Sequence, residues 1–139
     1  MKKLITCIIA CMSLTAQAAD TLTIRQVFKE MPDTIIPYLS HNNRLDLLDF
    51  MDSQMKAEVT NAFGGRSVMT TLTNDSLTLQ LNEICKIELL LLTTTDVVDS
   101  STKVIALRRT LGKEKGYQEC DVEYYSVKWK RLKTNVTAL

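Results

Sequence analysis

Apolar positions along this chain keep two different rhythms, and the change between them falls at Gly64-Gly65. Before that pair the spacing is helical. Ile24, Val27, Phe28 and Met31 recur at i, i+3, i+4 and i+7, Thr23 and Gln26 have the spacing of a capping box, and Pro32 closes the segment. A second, longer amphipathic helix is predicted over residues 43–65. There Leu45, Leu48, Met55, Val59 and Ala62 stack on one side, and Asp46, Asp49, Ser53, Lys56 and Thr60 on the other. Asn42 or Asn43 caps its start, Asp46 and Asp49 suit the positive end of its dipole, and Gly64 or Gly65 stops it in a left-handed conformation. Pro37 disfavours helix in the residue before it, so residues 33–41 read as an ordered, partly buried connector.

After Gly65 the period is two. Val68, Thr70 and Leu72 mark one strand and Leu77, Leu79 and Leu81 the next, joined by a tight turn at Asn74-Asp75, with Thr78, Gln80 and Asn82 facing away. A third strand carries Cys85, Ile87, Leu89 and Leu91, with Leu90 and Leu92 making its far end apolar on both sides. Residues 93–102 read as a polar turn region and residues 103–109 as a fourth strand. Beyond a turn at residues 112–116, the fifth places Cys120, Val122 and Tyr124 on one face against Asp121, Glu123 and Tyr125 on the other. Residues 127–133 read as a basic edge segment, of the kind that blocks unwanted pairing. The order predicts an α+β domain with two N-terminal helices packed on one face of a four- to five-stranded antiparallel meander sheet.

Composition fits one such domain. The chain has 139 residues, 45% of them hydrophobic, with 4 Gly and 2 Pro, which excludes disorder and collagen-like structure. Residues 1–18 are set apart as a signal peptide. Lys2 and Lys3 form a basic start, residues 4–14 an apolar run, and Ala16-Gln17-Ala18 a small-x-small site that predicts cleavage after Ala18, leaving residues 19–139 as the domain. A lipoprotein is the competing reading, because Ile8-Ile9-Ala10-Cys11 loosely resembles a lipobox; the apolar region before Cys11 is short for that processing. No later segment approaches the about 20 apolar residues of a membrane span. Without Lys2 and Lys3 the cations fall from 17 to 15 against 16 carboxylates, so a net charge of +1 becomes −1, and no nucleic-acid footprint remains. Cys7 and Cys11 leave with the leader. In an oxidising compartment Cys85 and Cys120 are then either a disulfide or two buried thiols.

At this point Met31-Pro32-Asp33, Ile36-Pro37-Tyr38-Leu39, Asn43-Arg44-Leu45, Lys56-Ala57-Glu58-Val59 and Gly64-Gly65 carry a resemblance. They resemble an uncharacterised family of small exported Bacteroides-type proteins, domain of unknown function 3256. The likeness is densest over residues 23–81 and extends more weakly to Tyr124, Tyr125 and Trp129. Members look longer at the C-terminus, whereas this chain ends at Leu139. The resemblance implies an exported bacterial protein and brings no catalytic residue with it.

Inventory excludes most chemistry. His41 alone builds no multi-histidine zinc site, the mature cysteines form no Cys-x-x-Cys pair, and Gly64-Gly65-Arg66-Ser67 ends a predicted helix instead of opening one on a phosphate. Asp46, Asp49 and Asp52 recur every three residues, but calcium prefers oxygens gathered by a loop, so a solvated helix face is expected. No cofactor or metal is expected. The most suggestive surface is Tyr125, Lys128, Trp129, Lys130 and Arg131, where cations flank an indole and suit an envelope protein or glycan; the alternative is an edge strand whose Trp129 plugs one end of the core. The expected function is a non-enzymatic binding or interaction module in the periplasm or cell envelope. A hydrolase using carboxylates such as Asp33, Asp49 and Glu58 is the alternative.

Overall fold

Thr23 opens the first helix as expected: its backbone N–H donates to Gln26 Oε1 at 2.8 Å, closing the capping box. The computed structural model describes residues 21–133, and there α1 runs Ile24–Lys29 with Ile24, Val27 and Phe28 buried. The leader, the Cys11 lipid site and cleavage after Ala18 lie outside the described residues.

The second helix is half the expected length. α2 spans His41–Asp52, capped by the Ser40 hydroxyl accepting from Asn43 N at 3.2 Å, so Asn43 is its third residue and not its cap. Asp49 and Asp52 crowd its C-terminal end, its last turn holds no basic residue, and Gln54 turns left-handed at φ 54°. Helix therefore stops twelve residues in, and Met55, placed by the helical period on the core face, is 59% exposed. The inward face is Arg44, Leu47 and Leu48. Gly64 (φ 81°) serves the turn between the first two strands, and Asn61 Oδ1 holds that turn by accepting from Phe63 N and Gly65 N.

Among the described residues six strands form one antiparallel sheet in chain order: β1 Glu58–Thr60, β2 Arg66–Leu72, β3 Ser76–Asn82, β4 Cys85–Val98, β5 Ser101–Leu111 and β6 Glu119–Ser126. The meander was legible but one strand was not, because β1 occupies the stretch assigned to helix. In β2 the inward residues are Ser67 and Met69, not Val68 and Thr70; a bulge between Met69 and Thr71 then returns Leu72 to the core. The expected polar turn at residues 93–102 is mostly strand. β4 and β5 continue to a two-residue turn at Asp99 and Ser100, both left-handed (φ 48° and 65°), as a twisted hairpin favours.

α1, α2 and the connector lie on one face of the sheet, over a core that includes Leu77, Leu79, Ile87, Leu89, Ile105, Leu107 and Tyr125. Val104 and Ala106 are buried on the opposite side. A straight hairpin would carry its tip about 13 Å beyond Val104, yet Asp99 accepts from Lys130 Nζ at 3.1 Å and is held below the usual carboxylate range by Ser126, then by Lys130. Since Ser126 pairs with Val104, the tip must bend back towards β6.

A buried charged side chain joins the helical layer. Arg44 is 2% exposed; its Nη1 donates to Asp33 Oδ1 at 2.7 Å and to the Leu39 carbonyl at 2.9 Å, and its Nη2 donates to the Met31 carbonyl. Replacing it strands two buried carbonyls. We expect Arg44→Met to lower the unfolding free energy in urea by about 3 kcal/mol. Asp33→Asn, whose carboxylate is 61% exposed, should cost under about 1 kcal/mol.

Candidate functional site

The helical layer is shorter than the sheet it covers. α1 packs on β4 and α2 on β1 and β2, while the corner where β3 turns into β4 and β5 ends is sheltered only by residues 35–38. An apolar cleft of about 200 Å³ opens there. Leu81, Cys85, Ile87 and Leu111 line it from the sheet and Ile35, Ile36, Pro37 and Tyr38 from the connector. Ile84 and Leu111 stand in solvent at 48% and 41% exposure.

Asn82 shapes this corner. Its Oδ1 accepts from Ile84 N and Cys85 N, both at 2.9 Å, which fixes the β3–β4 turn, and its Nδ2 donates to Tyr38 Oη at 3.1 Å, which ties the turn to the connector. The Tyr38 ring also meets Phe63 edge-on at 4.7 Å. Arg109 is the one charged lining residue. Period two in β5 puts it on the same face as Ile105 and Leu107, a signal present in the sequence. Its Nη1 lies 3.9 Å from Asp121. Burial pushes the Cys85 thiol up, outweighing the opposite pull of Arg109. His41 is exposed at the start of α2 and does not line the cleft, so Cys85 has no imidazole base there.

Of the surface expected at the C-terminal edge, Lys128, Lys130 and Arg131 are exposed while the two aromatic rings turn inward. Tyr125 and Trp129 are 6% and 7% exposed, their rings 5.4 Å apart, and Trp129 Nε1 donates to the Val27 carbonyl of α1 at 2.8 Å. Trp129 plugs the core, from a left-handed backbone at φ 62°. Lys130 is paired with Asp99 and Arg131 with Glu123 at 2.7 Å; Lys128 is exposed. Nor do the two cysteines meet. Cys85 faces the core and Cys120 is exposed, on opposite sides of the sheet and two strands apart, Cys85 being opposite Leu111 and Cys120 opposite Thr110. Two strand spacings, roughly 10 Å, exceed what a disulfide spans. Asp46 and Asp49 are exposed, while Asp52 holds Arg25 through two bonds of 2.7 and 2.9 Å, linking α2 to α1. Among the described residues no cluster of His, Cys, Asp and Glu is arranged to hold a metal ion, and no helix is long and apolar enough to cross a membrane.

A family model described as Protein of unknown function (DUF3256) matches residues 13–138. The chain belongs to this family. DUF3256 thus takes in both the helical layer and the sheet, including every residue of the cleft. Among solved structures, a domain of an uncharacterized protein from Porphyromonas gingivalis W83 is similar to this DUF3256 chain at a TM-score of 0.62 and 21% identity, over 79% of this chain and 53% of that one. The chain therefore spans about half of that relative, and the likeness is one of fold. None of the curated proteins matches it.

The thiols should behave independently. Native protein treated with a maleimide should label Cys120 first and Cys85 only on unfolding, and non-reducing peptide mapping should find both free. Tyr125 gives a pH signature. Burial first, then its 2.6 Å hydrogen bond to Glu123 and that carboxylate's charge, push its phenol from 10.0 up to about 12. The folded state thus favours the neutral phenol, so its contribution is complete below pH 10 and is lost as pH rises towards about 12. Denaturation midpoints across that range should fall less steeply in Tyr125→Phe than in the native protein.

Proposed function

We propose that this chain is an exported, non-enzymatic binding module of the bacterial envelope, and that its ligand enters the cleft beneath residues 35–38. The observation that carries this reading is the exposure of Ile84 and Leu111 at the mouth of an apolar hollow. Apolar surface converging on a concavity marks a binding site more often than scattered apolar residues do. An apolar lining suits a small apolar ligand or an apolar side chain of a partner better than a glycan.

The carboxylates of the hydrolase reading lend it no support. Asp33 serves Arg44, Asp49 is exposed on α2, and Glu58 bridges Lys56 and Arg66, with the Lys56 hydrogen bond holding its carboxyl below the usual range. None of the three lines the cleft. Glu83 and Glu114 do share a polar hollow with Lys86 and Gln118, but both are exposed and the hollow reads as solvated surface. Export rests on the leader pattern of residues 1–18.

Protein isolated from its own envelope without detergent should carry a small apolar molecule in native mass spectra. Ile84→Asp with Leu111→Asp should lose that molecule while changing Tm little, since both side chains are already wet. The isolated chain should begin at Ala19. Protein that arrives empty and binds no apolar probe at the cleft would overturn the binding reading, and an intact Met1 in the cytosol would overturn export.

A further inference from the structure

Arg25, Arg44, Arg66, Arg108 and Arg131 each reach a carboxylate at 2.6 to 2.8 Å. Arg109 does not. Its nearest carboxylate oxygen, on Asp121, is 3.9 Å away on a side chain 64% exposed, and Arg109 donates no hydrogen bond among the described residues. Yet it is itself only 32% exposed and lies on the helix-facing side of the sheet, where a cation is costly unless it is partnered. Tyr38 Oη, which accepts from Asn82 Nδ2 at 3.1 Å, places a second polar atom on the cleft wall.

We infer that the cleft takes a small aliphatic carboxylate, with the acid held by Arg109 and its hydrocarbon tail against Ile35, Ile84 and Leu111. This deepens the binding reading above and rests on it. The chemistry is selective on both ends. A planar guanidinium offers paired donors that match the two oxygens of a carboxylate, which a neutral alcohol cannot use fully. The walls are apolar and the volume, about 200 Å³, lies below that of most drug-sized pockets, so one short unbranched or lightly branched chain fits better than a ring system or a sugar. Asp121 sits where an incoming carboxylate would displace it, and its exposure makes that displacement cheap.

The test is a pair of titrations on the full ¹⁵N-labelled chain, one with octanoate and one with octanol, followed by amide shifts of Tyr38, Ile84, Cys85 and Gly112. Octanoate should move these amides and bind about tenfold more tightly than octanol. Arg109→Gln should remove that preference, the octanoate affinity falling to that of octanol, and Arg109→Lys should restore part of it. Equal affinity for acid and alcohol, or an octanoate preference that survives Arg109→Gln, overturns the carboxylate inference while leaving an apolar cleft that binds. If neither compound shifts the cleft amides, the binding reading falls with it.

Discussion

A guanidinium buried inside the helical layer is the constraint on which the rest depends. α1 is six residues long, too short to persist by its own hydrogen bonds, and residues 32–40 form no regular element at all. Arg44 supplies what those segments lack. Its fork takes the carbonyl at the end of α1, a carbonyl just before α2 and the Asp33 carboxylate, so three segments that could otherwise slide are fixed to one side chain. Its Nε has no partner, so the geometry is not fully satisfied, and the position is held by the planar head and the packing around it. With that layer in place, Ile24, Phe28, Leu39, Leu47 and Leu48 present one apolar surface to the sheet.

Much of this is legible in the sequence. The α+β class, the meander order, the capping box at Thr23 and the inward leucines of β3 all follow from periodicity and end signals. The errors have local causes. Helical spacing through Met55 and Val59 was real as a pattern, but carboxylates at the wrong end of the dipole and the left-handed Gln54 ended α2 early, and β-branched Val59 and Thr60 went into a strand. In β6, Tyr125 was placed opposite Cys120 and Val122, and that alternation holds; what periodicity did not say is which face meets the helices. The inward role of Arg44 was hidden by its charge, which argues for solvent in any count of apolar positions. Arg109 was hidden in the same way.

The cleft arises from a mismatch of lengths. β4 and β5 are long, fourteen and eleven residues, whereas α1 and α2 together leave the Ile84 and Leu111 corner bare. A folded chain normally minimises such surface, so an apolar corner that is roofed by a connector and not filled by it is the place where this domain has room for something else. The solved Porphyromonas gingivalis domain shares the fold and extends well beyond it, which places this arrangement within a longer chain in at least one relative.

The indole of Trp129 reaching the Val27 carbonyl, 102 positions away, has a further consequence for how the domain is assembled. Each strand pairs with its sequence neighbour, so the sheet closes by short loops and small entropic steps. The helices lie on strands that follow them in the chain, α1 on β4 and α2 on β1 and β2, and the residue that clasps α1 comes after the last of those strands. α1 therefore docks through a contact 102 positions away, and closing that loop costs more chain entropy than closing any hairpin of the sheet.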